Sequence, residues 1–176
     1  MSTIGAPLTT PRLDLVPLRT EDADEMVSVL ADARLYAFTG GAPPSREELA
    51  ARYARQVVGR SADGTEAWHN WIIRRRPQGD AIGYVQATVS TLGGPADIAW
   101  VIGVPWQGRG FATEAAAAVR DGVRGPGSAT GDDVTRVHAH IAPGHVASET
   151  VARRLGLTPT DVTHHGETRW LLTLSD

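Results

Sequence analysis

Gln107, Gly108, Arg109, Gly110, Phe111, Ala112 and Thr113 stand between an apolar stretch of strand character and an alanine-rich stretch of helix character. This junction constrains the chain more than any other feature, because it commits it to a glycine loop and a helix start at the end of a strand. A helix start leaves four backbone N–H groups without intrahelical partners, and the aligned peptide dipoles add partial positive charge there. Anions, phosphates above all, bind at such ends. Gly108 and Gly110 carry no Cβ, so a phosphate can approach the backbone and the loop can turn through positive φ.

Three kinds of glycine loop fit this outline. A Walker-type loop needs a lysine, and all 17 basic residues of the chain are arginines, which also removes Schiff-base chemistry. A dinucleotide fingerprint asks for Gly or Ala where Thr113 stands, and for an acidic residue at the end of the next strand, which here closes on Ile141, Ala142 and Pro143. What remains is the pattern Gln/Arg-x-x-Gly-x-Gly/Ala, filled by Gln107, Gly110 and Ala112. In this the chain resembles the GCN5-related N-acetyltransferases. The flanks (residues 96–102 before the loop, 112–116 after it), together with Pro11, Arg12 and Leu13 near the start and residues 147–148 and 155–157 near the end, resemble the RimJ/RimL ribosomal-protein branch.

Bulk properties agree with a compact enzyme. The 176 residues suffice for one domain, 1–176, with a single hydrophobic core. The absence of cysteine excludes disulfides, thiol nucleophiles and cysteine-bound zinc. No signal-peptide pattern or membrane-length apolar run is present, so a soluble cytoplasmic protein without a membrane partner is expected. A net charge of −3 disfavours nucleic acid, and Arg74, Arg75 and Arg76 are too short a run to reverse that.

Periodicity predicts an α/β (α+β) layout. Residues 12–18 alternate like a strand. Thr20 and Asp22 are candidate caps for a helix to about residue 33, and Ser45 with Glu48 forms a capping-box pattern for a second helix to about residue 58. Strands are expected at 68–75, 81–90, 97–104 and 134–141, helices at 112–123 and 147–155, a flexible break at 125–133, and a hairpin over 160–174 around Gly166. The resemblance adds the topology: a mixed, mostly antiparallel sheet of about seven strands with a splayed parallel pair, and about four helices.

The resemblance also implies a cosubstrate, acetyl-CoA, and an amine acceptor, either a peptide or protein N-terminus or a small amine. It implies that Ile102, Gly103 and Val104 hydrogen-bond the pantetheine arm, that an N–H near Val101 polarises the thioester carbonyl, and that backbone N–H groups from Gly108 to Thr113, with Arg109, hold the diphosphate. Many relatives protonate the leaving thiolate with a tyrosine where Ala152 stands here. The ribosomal-protein branch places a serine one turn earlier, matched by Ser148, which otherwise reads as a first-turn cap. His145 replaces a common asparagine that touches pantetheine. Asp97 matches a frequent glutamate and is the candidate base, with Glu66, His69 and Glu167 as alternatives.

His138 and His140 share one face of a strand without an evident third ligand, so structural histidines are expected and no metal. His164 and His165 precede a turn and are expected to be exposed. Trp68, Trp71 and Trp100 read as core or pocket walls, and Trp106 as a wedge under the loop. Phe38 and the glycine-proline loop after it either border the acceptor or form a mobile surface loop. Without cysteine, transfer is expected by direct attack in a ternary complex. The alternative is a non-catalytic acyl-CoA-binding module, and both monomer and homodimer stay open.

Overall fold

The computed structural model describes residues 5–124 and 134–174; the break read at 125–133 lies outside the described residues. In chain order the elements are β1 (Leu8–Thr9), β2 (Leu13–Pro17), α1 (Ala23–Val29), α2 (Arg46–Gln56), β3 (Glu66–Arg75), β4 (Ala81–Ser90), β5 (Ala96–Ile102), α3 (Phe111–Gly122), β6 (Arg136–Ile141), α4 (Val146–Arg154), β7 (Thr158–His164) and β8 (Glu167–Thr173). They form one open sheet in the order β1-β2-β3-β4-β5-β6-β8-β7. Every neighbouring pair is antiparallel except β5 and β6. The expected mixed sheet and four α-helices are present. The additional strand, β1, has two residues, too few for alternation to reveal.

Strand alternation divides the core between two faces of this sheet. Trp71, Val85, Ala87, Ile98, Val137 and Ala139 point to the side covered by α3 and α4, where Ala115, Ala116, Val119 and Ala152 meet them. The small alanines let α3 lie close against the strands. Ile72 and Ala81 point to the other side, under Met26 and Val29 of α1 and Leu49 and Tyr53 of α2. That second helical layer stops over β4, so among the described residues no helix lies above the same face of β5, β6 and β8. Asp97, Ala99, His138, His140 and Arg169 lie there by register.

Local signals set most boundaries. Ser45 Oγ accepts from the Glu48 N–H at 3.1 Å, and Glu48 returns a bond to the Ser45 N–H at 2.8 Å, so α2 starts with the expected capping box, a device worth about 1 kcal/mol. The first helix departs from expectation. A 3₁₀ turn, Thr20–Asp22, precedes α1; Arg19 caps that turn, its N–H bonded to Asp22, and Asp22 rather than Thr20 stands at the cap position of α1. The helix ends at Val29 because Asp32 accepts from the Arg34 N–H and starts a separate 3₁₀ turn, Ala33–Tyr36. The final hairpin turns at His165 (φ 48°) and Gly166 (φ 81°), the left-handed pair that a two-residue turn between twisted strands requires.

Candidate active site

β5 and β6 are joined by only two register pairs, Ala96 with Val137 and Asp97 with His138, and then diverge. The hydrogen-bond phase shows which groups this divergence frees. Gly103 N–H bonds the Ile82 carbonyl at 2.8 Å, so odd-numbered residues of β5 exchange bonds with β4 and even-numbered ones face β6. Leu174 N–H bonds Thr135 O at 2.8 Å, which turns the odd residues of β6 to β8 and His138 and His140 to β5. Beyond the last rung, the Ile98 carbonyl and both backbone groups of Trp100 and His140 therefore open into a wedge between the strands. For the donor expected near Val101 this phase selects the neighbouring residue, because the Val101 N–H faces β4 and the Trp100 N–H faces the wedge. A sequence cannot show which of two successive amides points outward.

The strand also ends earlier than expected. Gly103 caps and Val104 opens a 3₁₀ turn, Val104–Trp106, and neither belongs to β5. Trp106 makes the turn compact: its ring packs so closely on Gly103 that a Cβ there would lie 2.8 Å from it. Gln107 then reaches back, its Nε2 donating to the Ile102 carbonyl at 2.9 Å. The signature glutamine thus fixes the loop to the strand end.

Next comes the glycine loop, with Gly108 at φ 74° and Gly110 at φ 81° as the cap of α3. These left-handed conformations are costly for other L-residues. The first backbone donor satisfied inside the protein after Gln107 is the Glu114 N–H, bonded to Gly110 O at 3.0 Å. Among the described residues, the N–H groups of Gly108, Arg109, Gly110, Phe111, Ala112 and Thr113 donate to no protein group. The Arg109 side chain is likewise exposed and unpaired among them. Six free donors at a helix start suit a diphosphate, each bond to a charged oxygen being worth roughly 1.5–3 kcal/mol, against about 0.3–1 from the helix dipole.

Arg12 braces this loop, a role that no local pattern discloses. Its Nη1 donates to Arg109 O at 3.0 Å, and its guanidinium lies 4.5 Å from the centre of the Phe111 ring. Its Nε meets Glu114 Oε2 at 2.6 Å, while the Arg12 N–H and Thr10 hydroxyl hold Glu114 Oε1 at 2.9 and 2.6 Å. Burial pushes the Glu114 carboxyl up, but these bonds outweigh it and leave the group below its ordinary 4.5. The contacts span 102 residues of sequence.

Across the wedge, α4 begins at Val146 with His145 as its cap. Ser148 is therefore a third-position residue rather than the cap. Its N–H donates to His145 Nδ1 at 3.4 Å, and its hydroxyl lies 3.3 Å from His145 Nε2. His145 stacks on Phe38 with ring centroids 4.4 Å apart, so the loop after α1 reaches the start of α4 beside the wedge. Ala152, where the resemblance sets a tyrosine in many relatives, is buried.

Asp97 sits at the last rung. Its Oδ1 is buried without a hydrogen-bond partner among the described residues, yet lies 3.8 Å from His138 Nδ1 and 3.5 Å from His140 Nδ1. Arg169 Nε donates to His140 Nε2 at 3.4 Å, which puts the His140 ring proton on Nδ1, toward Asp97. Burial holds His138 below its ordinary 6.5 against the opposing pull of Asp97, and Arg169, His140 and Arg136 add to the lowering. His138 is thus neutral near pH 7 and able to accept a proton. The two histidines, expected to be structural, meet the candidate base. Among the described residues no group of three or more His, Asp or Glu side chains is arranged to hold a metal. The alternative bases stand elsewhere: Glu66 accepts from Trp68 Nε1 at 3.0 Å, His69 shares the opposite face with Trp71, and Glu167 lies at the hairpin opposite His164.

A strand wedge beside a glycine loop of free amides is a site able to receive an anionic ligand. The family model "Acetyltransferase (GNAT) domain" matches residues 12–158, and the chain belongs to that family. Solved structures share the fold. A putative GnaT-family acetyltransferase from Bordetella pertussis aligns with a TM-score of 0.69 at 24% identity over 96% of this chain and 99% of its own. The ribosomal L7/L12 alpha-N-protein acetyltransferase RimL, in complex with coenzyme A, gives 0.74 at 14% over 96% and 98%. The microcin C7 self-immunity acetyltransferase MccE, in complex with acetyl-CoA and AMP, gives 0.74 at 13% over 94% of both chains. No curated protein matches the chain significantly. Among the described residues no helix is long and apolar enough to cross a membrane.

Proposed function

We propose that the protein is an N-acetyltransferase of RimJ/RimL type that moves an acetyl group from acetyl-CoA to a primary amine by direct attack in a ternary complex. The observation that carries this reading is the continuity of three features: free amides at residues 108–113, unpaired backbone at Trp100 and His140, and Asp97 with His138 at the wedge's closed end. The loop anchors the diphosphate, the strands take the pantetheine arm as an extra rung, and the Trp100 N–H polarises the thioester carbonyl. The amine nitrogen attacks that carbon. A C–N bond forms, the C–S bond breaks, and the amine proton passes to His138, whose cation Asp97 stabilises. The thiolate receives a hydrogen bond from the Ser148 hydroxyl, oriented by His145. An α-amine near pKa 7.7–8.0 asks about 1–1.4 kcal/mol to be neutral at pH 7, against roughly 4.6 for a lysine near 10.4, so this modest base suits α-amines best. The enzyme works in the cytoplasm, as monomer or homodimer.

The test is thiol release from acetyl-CoA with peptides, amino acids and polyamines as acceptors. Turnover with at least one amine, dependent on Asp97, is expected. Tight coenzyme A binding without acetylation of any amine would instead support a non-catalytic acyl-CoA-binding module.

A further inference from the structure

On the sheet face covered by α1 and α2, a pocket of about 330 Å³, counted with its mouth, lies between α2 and strands β3 and β4. Its polar walls are Arg52, Tyr53, Gln56, Asn70, Tyr84 and Gln86. None is acidic, and every one can donate a hydrogen bond. Arg52 makes no ion pair with a described residue, although its neighbours on α2 and α1 include several that do. Tyr53 is 4% exposed, and its hydroxyl has no hydrogen-bond partner among the described residues. A buried, unpartnered hydroxyl costs about 1–3 kcal/mol unless something satisfies it. Burial pushes Tyr53 and Tyr84 upward, so both keep their protons and stay donors.

The pocket adjoins the reacting centre. Tyr84 pairs directly with Val101 and Gln86 with Ala99 across β4 and β5. Strand spacing and rise put Gln86 about 8 Å from Asp97, Cα to Cα. The face is therefore polar in a directed sense: an unpaired guanidinium and a set of neutral donors at one end, a carboxylate at the other. A polyamine finds no second anion in this pocket. A primary amine that also carries a carboxylate can give the carboxylate to these donors and turn its amine toward the Asp97 end.

The geometry points to a carboxylate-binding subsite, so that the acceptor is a primary amine bearing a carboxylate, either a free amino acid or an acidic residue at a peptide N-terminus. This rests on the acetyltransferase reading above and specifies its acceptor. Arg52 and the Tyr53 hydroxyl take the carboxylate, Gln56, Asn70 and Gln86 complete its hydrogen bonds, and the amine is left beside Asp97.

Matched acceptors test it: phenylalanine against phenethylamine, leucine against isoamylamine, and peptides starting with Asp or Glu against Asn or Gln. The carboxylate-bearing member of a pair is expected to show at least tenfold higher kcat/KM, with Arg52→Gln erasing the difference and Tyr53→Phe reducing it severalfold. Free amino acids or acidic peptides, whichever shows the preference, identify the source. Equal rates within every pair, or a preference that survives Arg52→Gln, overturn the subsite. Calorimetry with N-acetylphenylalanine and N-phenethylacetamide in the presence of coenzyme A reads the same contact without turnover. If no amine is acetylated, binding of the acid alone and its loss in Arg52→Gln still support the subsite while the enzymatic reading fails; no binding of the acid overturns it.

Discussion

The two halves of the site are built on opposite plans. On the coenzyme side most side chains are committed to one another: Arg12, Thr10 and Glu114 tie the glycine loop to β2, and Gln107 ties it to β5, leaving the backbone amides and the Arg109 guanidinium free. On the acceptor side the backbone is paired within the sheet and the side chains are uncommitted, with Arg52 unpaired and Asp97 Oδ1 and the Tyr53 hydroxyl without bonds among the described residues. A diphosphate is common to every reaction such a site performs, and main-chain donors fixed by side chains serve it. The acceptor demands discrimination, which only side chains supply.

Replacing Gly110 by Val strikes the coenzyme side hardest. The residue sits at φ 81°, and a β-branched side chain there forces the loop to another conformation. Coenzyme A affinity by calorimetry is expected to fall at least a hundredfold with the far-UV circular dichroism unchanged; tight binding by the folded variant would break the comparison, since the amides would then not be the anchor.

Asp97→Asn and His138→Asn strike the acceptor side, with an expected loss of roughly 10²-fold or more in kcat/KM, in the range of general-base contributions, and an unchanged coenzyme Kd. Because His138 is held below 6.5, the wild-type rate, once divided by the neutral fraction of the acceptor amine, should be full above that pH and decline below it as the imidazole protonates. Asp97 raises the His138 value, so its removal moves any residual limb to lower pH, whereas His138→Asn removes the limb. A pH profile identical to wild type in His138→Asn would remove this residue from proton transfer.

Arg12→Gln probes the brace itself. Loss of an exposed but multiply bonded ion pair of about 1–2 kcal/mol should weaken coenzyme binding about 5- to 30-fold while leaving the preference among acceptors intact. The Glu114 carboxyl, held below 4.5, contributes stability above its unfolded value that is lost as pH falls through its lower folded one. The brace should therefore persist at pH 5, and thermal melts of wild type and Glu114→Gln should converge only in stronger acid. Ser148→Ala is the mildest change. A loss of about 2- to 10-fold in kcat is expected, for one hydrogen bond of roughly 0.5–1.5 kcal/mol to the departing sulfur; unaltered turnover would leave Ser148 a purely structural member of α4.

Where a pattern is local, the sequence carried it. Strand alternation in 81–90, the Ser45 and Glu48 pair, the turn around Gly166 and the glycine loop each depend on residues within a few positions of one another, and each stands where the chain alone put it. Asp22, one of the two expected caps, stands at the start of α1, whereas the far limit of that helix was misread because Asp32 caps a separate 3₁₀ turn from a position that propensity cannot distinguish. The two-residue β1 exists only because β2 is there to pair with it.

The sequence by itself determined the family, the fold and the glycine loop, since these follow from backbone preferences and periodic apolar positions acting over short range. Only the tertiary structure decided that Trp100 rather than Val101 faces the wedge, that Arg12 braces Glu114 from the far side of the chain, and that Asp97 meets two histidines on a neighbouring strand. Those facts depend on sheet register and strand divergence, which bring side chains together across tens of residues and leave no local trace in the order of amino acids.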